Sequence, residues 1–161
     1  MAKVLTINYE KCTGCRLCEL VCSVQHTGAS NPTRANIHIV KWEAEGFYLP
    51  IFCQHCIDAP CMSVCPQKAI SRDKEMNRVK IDYEKCIGCR ACVAACPFGA
   101  AGFDHVEKKV IKCDMCDGDP LCVEFCEVKA VDYVEESTLN LKKMREAAGN
   151  FAHLVQKAHG R

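Results

Sequence analysis

Apolar and polar positions alternate only over short stretches of this chain, and the stretches are separated by turn residues. Residues 3–8 (KVLTIN) alternate weakly and predict a short strand. Residues 37–43 (IHIVKWE) and 47–52 (FYLPIF) flank Ala44-Glu45-Gly46 and predict a hairpin, with Pro50 confining its second strand to an edge. A strand begins at residues 68–70, turns at 74–77 and returns over 79–82. Another pair runs over 98–103 and through Ile111 around a turn at 105–108, and residues 130–134 close the sheet. Helical patterns are fewer. One covers residues 16–25 and is broken by residues 28–32, and a second is opened by Pro60. In the tail, Leu141, Met144, Ala148, Phe151, Val155 and Ala158 recur at spacings of three and four, with Ser137 as N-cap and Gly149 as a weak point. The class is α+β. No apolar run approaches the roughly 18 residues of a membrane span. Trp42, the only tryptophan, reads as a packing residue of the hairpin.

Sixteen cysteines override this weak pattern. All fall in four runs: Cys12, Cys15, Cys18, Cys22; Cys53, Cys56, Cys61, Cys65; Cys86, Cys89, Cys92, Cys96; and Cys113, Cys116, Cys122, Cys126. The third run reads C-x2-C-x2-C-x3-C and is followed by Pro97, the ligand spacing of bacterial iron–sulfur ferredoxins. Three thiolates so close together, on a loop turning into a helix, suit one cubane cluster. The last cysteine points across the helix and needs a second cluster. The second and fourth runs carry a longer middle spacing that bulges before Pro60 and Pro120. Sixteen ligands with none left over predict four [4Fe-4S] clusters. Gly14 sits between ligands, where a Cβ would crowd an inorganic sulfide. His55 also lies between ligands and reads as loop filler. Tyr9 and Tyr83, three residues before a first ligand, are expected to cover cluster faces.

Composition narrows the alternatives. A disulfide scaffold would want a secretory signal, and the opening MAKVLTINYEKC has no apolar h-region, so a reducing cytoplasm is the expectation. Zinc ligands come as two separated C-x2-4-C pairs, and here the third thiolate arrives too early. The formal charge is +1. Each [4Fe-4S] core on four thiolates brings about −2, so the loaded chain sits near about −7 and is no partner for nucleic acid. No cofactor-binding glycine motif or pocket of catalytic residues is present, and Arg34 and Trp42 make no site by themselves, so the chain is not expected to be an enzyme alone.

The chain repeats. VLTINYEKCTGCRLCELVC, from Val4, matches VKIDYEKCIGCRACVAAC, from Val79. FCQHCIDAPCMSVCPQKAI, from Phe52, matches KCDMCDGDPLCVEFCEVKAV, from Lys112. Two pairings of the runs are open, sequential or nested. Proline follows Cys65 and Cys96, whereas Ser23 and Glu127 follow Cys22 and Cys126, so the middle runs look like one matched lobe and nested pairing is favoured. With the last cysteine of each run serving the other cluster, the sets become Cys12, Cys15, Cys18, Cys126; Cys22, Cys113, Cys116, Cys122; Cys53, Cys56, Cys61, Cys96; and Cys65, Cys86, Cys89, Cys92.

At these residues the chain resembles the four-cluster ferredoxin subunits of molybdenum and tungsten oxidoreductases, the group that includes the electron-transfer subunits of dimethyl sulfoxide reductase and formate hydrogenlyase. The resemblance spans residues 4–134. Within the group, YEKCTGCRLCELVC followed by NPTRANIHIVKW is most similar to the small subunits accompanying tungsten aldehyde oxidoreductases and class II benzoyl-CoA reductases. The resemblance implies nested pairing in a tandem bacterial ferredoxin-like domain over residues 1–134. Its first 2[4Fe-4S] lobe would come from runs 12–22 and 113–126, and its second from runs 53–65 and 86–96. It implies electron relay between a tungsten or molybdenum pterin subunit, an aldehyde oxidoreductase, and a flavin subunit or ferredoxin. Unlike membrane-bound members, the sequence carries no C-terminal transmembrane helix, which speaks against direct quinone chemistry. Residues 135–161 would then form an amphipathic helix that docks another subunit or a second copy, the bland reading being a helix folded back on its own domain. A free-standing polyferredoxin shuttle or an iron–sulfur assembly factor is the rival function, and a shuttle does not need that tail.

Overall fold

The computed structural model describes residues 3–136, so the expected C-terminal helix lies outside the described residues. Among the described residues eight strands form four separate two-stranded antiparallel sheets. Strand β1 (Lys3–Ile7) pairs with the last strand, β8 (Val131–Glu135), in the register Lys3↔Glu135 to Ile7↔Val131. The hairpin of β2 (Ile37–Trp42) and β3 (Phe47–Phe52) forms where the alternation predicts it. Pro50 sits opposite Ile39, and a two-stranded sheet has only edges, so its missing N–H costs no ladder bond inside a wider sheet. The other two hairpins are β4 (Ile70–Asp73) with β5 (Arg78–Ile81), and β6 (Ala101–Asp104) with β7 (Lys109–Lys112).

Each cysteine run feeds a helix. Helix α1 (Leu17–Thr27) is the longest α-helix among the described residues and ends at Gly28, whose N–H bonds Val24 O at 2.8 Å from a left-handed conformation. Helices α2 (Pro60–Ser63), α3 (Ala91–Ala95) and α4 (Leu121–Glu124) are one turn each. So short a helix has almost no stability of its own. Its ends are held by the loops carrying the thiols.

Packing sorts the elements into two groups. Helix α1 packs on α4, with β1, β8 and the β2–β3 hairpin around them, while α2 packs on α3 between the two remaining hairpins. The first core holds Cys22, Ala35, Ile37, Phe52, Cys113, Met115, Cys122 and Val131. The second holds only Ala59, Ile70, Val79, Cys92 and Val110. Thiols therefore occupy core positions that larger apolar side chains fill elsewhere. Polar links join the groups: Arg34 reaches Asp104 and Glu107, and Arg78 Nη1 donates to Asp114 O at 2.6 Å.

Candidate iron–sulfur sites

The local backbone is built for the loops. Arg16 and Arg90, one residue after Cys15 and Cys89, both adopt left-handed φ, 64° and 62°, at the N-caps of α1 and α3. An L residue there costs about 1–2 kcal/mol, so the turn is imposed by what it must hold. Gly14 has φ +68°, and a Cβ on it would strike the Tyr48 ring at 2.6 Å. The crowding expected from a sulfide is thus already present from an aromatic side chain of β3. Tyr9 stacks near Phe47 with centroids 5.6 Å apart, and Tyr83 donates its hydroxyl to Val110 O at 3.0 Å. Both tyrosines face hairpins, because their positions just before the ligand loop carry them onto the neighbouring strand pair.

All sixteen thiols are free, and twelve of them line three cavities in fours. Cys12, Cys15, Cys18 and Cys126 line one cavity together with Pro50, Phe125 and Val128. Cys22, Cys113, Cys116 and Cys122 line a second with Leu5, Ile37 and Phe52. Cys65, Cys86, Cys89 and Cys92 line a third with Ile70, Ile81 and Val110. Cys61 lies near Cys53 and Cys96: its thiol is pushed up by burial first and then by those two neighbours. Cys56 completes the second run on the loop between Cys53 and α2.

The donor chemistry fits iron–sulfur groups. Backbone N–H groups already point at thiol sulfurs: Asn36 at Cys22 Sγ, 3.2 Å; Ala69 at Cys65 Sγ, 3.3 Å; and Ala130 at Cys126 Sγ, 3.2 Å. Such bonds stabilise charge on sulfur and tune the metal. Burial pushes the Cys18 and Cys122 thiols up to about 12 and the Cys116 thiol up to about 11, and drives the fully enclosed Cys113 thiol well above its ordinary range. Ligation requires these thiols as thiolates, and a bound metal's own charge is what would deprotonate them against that burial.

His55 is more than filler. Its Nδ1 accepts the Val79 N–H at 3.0 Å, which leaves the proton on Nε2, and Nε2 is buried without a partner among the described residues. Burial, then the charges of Lys112, Arg72 and Arg78, lower its pKa to about 3, so the ring is neutral. An orphaned N–H between Cys53 and Cys56 is what a sulfide-bearing group would satisfy.

Several supporting residues are not marked by the cysteine pattern. Glu19 is 1% exposed, accepts from Arg16 Nε and from Ile39 N at 2.6 Å each, and so ties α1 to β2. His26 bridges Asp114 Oδ1 at 3.1 Å and Cys22 O at 2.8 Å, and its pKa is raised to about 11, chiefly by the Asp114 carboxylate. Arg72 donates to the carbonyls of His55, Cys56 and Ile57. Glu19 could have been suspected from its i,i+3 spacing to Arg16. The others pair across long stretches of chain that spacing alone does not reveal.

Residues 44–136 match the family described as 4Fe-4S dicluster domain, and residues 5–25 match a 4Fe-4S binding domain. The sixteen cysteines fit four [4Fe-4S] clusters across these two segments. The polyferredoxin-like subunit of an aliphatic sulfonate oxidoreductase from Pyrococcus furiosus is 38% identical over 86% of this chain and 79% of its own length. The B subunit of the anaerobic dimethyl sulfoxide reductase of Escherichia coli is 34% identical over 79% of this chain and 70% of its own. Among solved structures, the active-site complex BamBC of benzoyl coenzyme A reductase with 1,5-dienoyl-CoA contains a subunit that aligns with a TM-score of 0.50 at 26% identity, over 97% of this chain and 98% of that one. No helix among the described residues is long and apolar enough to cross a membrane. The protein belongs to the 4Fe-4S dicluster ferredoxin family, whose relatives include iron–sulfur electron-transfer subunits of oxidoreductases.

Proposed function

We propose that this chain relays single electrons along four [4Fe-4S] clusters between a tungsten or molybdenum pterin catalytic subunit and a flavin subunit or ferredoxin. The ligand sets are the nested ones: Cys12, Cys15, Cys18, Cys126; Cys22, Cys113, Cys116, Cys122; Cys53, Cys56, Cys61, Cys96; and Cys65, Cys86, Cys89, Cys92. When bound, each group supplies reversible one-electron chemistry with no proton to move.

The observation that carries the relay is the succession of thiols from one site to the next. The Cys122 thiol feels Cys18 as well as its own neighbours Cys22 and Cys116. Cys113 feels Cys53, and Cys92 feels Cys61. In this reading the four sets follow one another in a line, with the buried Cys113 in its middle. Cys15 and Cys89 belong to the two end sets and are exposed, so each end has an outlet to a partner. The residues of the chain contribute rigid short loops, N–H donors to sulfur and exclusion of water, and no acid, base or nucleophile is required. The Pyrococcus relative, itself a subunit of an oxidoreductase, supports a bound relay over a free shuttle. The sequence resemblance points to an aldehyde oxidoreductase as the catalytic partner.

The test is anaerobic purification from the native host at low salt, with iron, acid-labile sulfide, zinc, tungsten and molybdenum counted. About sixteen iron and sixteen sulfide per chain, with tungsten or molybdenum in a larger co-eluting subunit, is the expected result. The same iron with the chain alone favours the shuttle, and zinc without sulfide overturns the reading. In the purified complex, Cys86→Ala should remove one cluster's signal and slow transfer. Undiminished transfer with that cluster absent would show that the line is not the route.

A further inference from the structure

Lys112 closes β7 and is 6% exposed. Its ammonium donates to Val79 O, in the group of elements around α2 and α3, and to Cys113 O at 2.8 Å, in the group around α1 and α4. Those partners are neutral carbonyls. Among the described residues no carboxylate lies within ion-pair distance of Nζ. A buried ammonium without an anion is strongly disfavoured and is kept only where a negative charge answers it.

The neighbouring cations sharpen the point. Arg78, which also faces this junction, is answered by Asp73 at 3.2 Å and Asp117 at 2.5 Å. Arg72 is taken up by the carbonyls of the Cys56 loop and by Asn77 O and Oδ1, at 3.0 and 2.9 Å, within its own group of elements. Lys112, like Arg78, bonds to both groups of elements, but unlike Arg78 it does so through carbonyls with no carboxylate in reach among the described residues. Its charge reaches the thiols on either side, opposing the upward push of burial on Cys61 and on Cys113. The arginines of the end-site loops are placed differently: Arg16 is half exposed and paired with Glu19, and Arg90 lies over the Phe103 ring at 3.6 Å.

Resting on the ligand sets proposed above, we infer that Lys112 is a fixed counter-charge shared by the two inner clusters, those of Cys22, Cys113, Cys116, Cys122 and of Cys53, Cys56, Cys61, Cys96. Each oxidised cluster with its thiolates carries about −2 and takes one more negative charge on reduction. A positive charge enclosed between two such sites favours the reduced state of both and offsets their mutual repulsion, and in a low-dielectric setting neither effect is screened away. The electron arrives from the adjacent end cluster, which is oxidised by one electron as the inner one is reduced. No proton is exchanged. The inner pair is thereby held at higher potential than it would have with the same sulfur ligands and no cation.

The experiment compares Lys112→Gln, which keeps N–H donors for the two carbonyls but removes the charge, with Lys112→Arg, which keeps the charge. Iron and sulfide are counted first, and the midpoint potentials are then read by an EPR-monitored redox titration of the loaded protein. Two of the four one-electron transitions should move to lower potential in Lys112→Gln, the other two should stay, and Lys112→Arg should restore all four. Transitions that do not move, that all move together, or of which only one moves, overturn the inference. If Lys112→Gln loads incompletely, loss of about half the iron, with the two end-site transitions surviving, supports it; loss of one cluster or of all four overturns it. A wild-type chain without four iron–sulfur transitions sinks the relay reading and this inference together, whereas a fully loaded wild type with unmoved transitions in Lys112→Gln sinks the inference alone.

Discussion

The two cysteine-rich groups use the same loop and finish it differently. In YEKCTGCRLCE the left-handed Arg16 turns back to Glu19, which is buried and also holds Ile39 N. In YEKCIGCRACV the equivalent left-handed Arg90 lies over the Phe103 ring, and Val93 stands where Glu19 would be. Ligand geometry dictates the backbone, so the two φ values agree within a few degrees. The side-chain partner is free to differ because any favourable contact can hold an arginine in place. The difference continues outward. The group around α1 has an eleven-residue helix and a core with Phe52 and Met115. The group around α2 and α3 has one-turn helices and five buried core residues, none larger than isoleucine. The first has some means of holding together through its own apolar contacts, and the second depends on what its thiols bind.

The largest effect that separates the two is removal of iron. Metal binding in small domains is folding free energy, and here the group around α2 and α3 has little else. Stripping iron and sulfide anaerobically should abolish hydrogen-exchange protection in β4, β5, β6 and β7 while part of the protection in α1 survives. Mass-spectrometric exchange on the stripped chain checks this. Equal collapse of both groups would mean that the core around Phe52 is as dependent on the clusters as the smaller one.

A smaller effect isolates Glu19. Leu at this position leaves Ile39 N buried without an acceptor and Arg16 without its carboxylate. An unsatisfied buried donor costs about 1–3 kcal/mol. The ion pair adds little, since Arg16 is half exposed. Glu19→Gln keeps an acceptor for Ile39 N and should cost roughly a third as much. Chemical denaturation of the iron-loaded protein measures both. If Gln and Leu are equally damaging, the charge on Glu19 matters more than its bond to β2.

Much of this was legible in the sequence for a physical reason. Cysteine runs are local, and ligand spacing along a loop is a local constraint, so the four runs, the hairpins between them and the helices after them could be read directly. The β2–β3 hairpin and the Gly28 stop follow from residues whose local preference agrees with the fold, whereas the pairing of β1 with β8 joins distant residues, and the strands make four separate pairs rather than one sheet that residues 130–134 close. Other features needed contacts distant in sequence. Asp104 reaches Arg34, His26 reaches Asp114, and Lys112 reaches Val79, each across a turn of fold that periodicity does not encode. For Tyr9 and Tyr83 the sequence placed the rings just before a ligand loop but could not show their hairpin partners, Phe47 and Val110 O. For His55 the pattern placed the residue correctly but could not show which nitrogen was occupied.

The finest comparison between the two groups is at their matched glycines. Gly14 and Gly88 have the same left-handed φ, +68° and +67°, in the same loop. An alanine at either costs about 1–2 kcal/mol for that conformation. At Gly88 the added Cβ meets nothing closer than Lys108 O at 3.5 Å, an ordinary contact, so the backbone cost is the whole cost. At Gly14 the Cβ would lie 2.6 Å from the Tyr48 ring, and the ring or the loop must move. Gly14→Ala should therefore be more damaging than Gly88→Ala, and the excess should vanish when Tyr48 is also replaced by alanine. Denaturation midpoints of the two single variants, of Tyr48→Ala and of the Gly14→Ala, Tyr48→Ala pair measure the coupling. An excess that persists without the tyrosine ring would mean that Gly14 is required by the iron–sulfur group itself, in which case Gly88, facing an equivalent group, should prove just as intolerant once iron content is measured alongside stability.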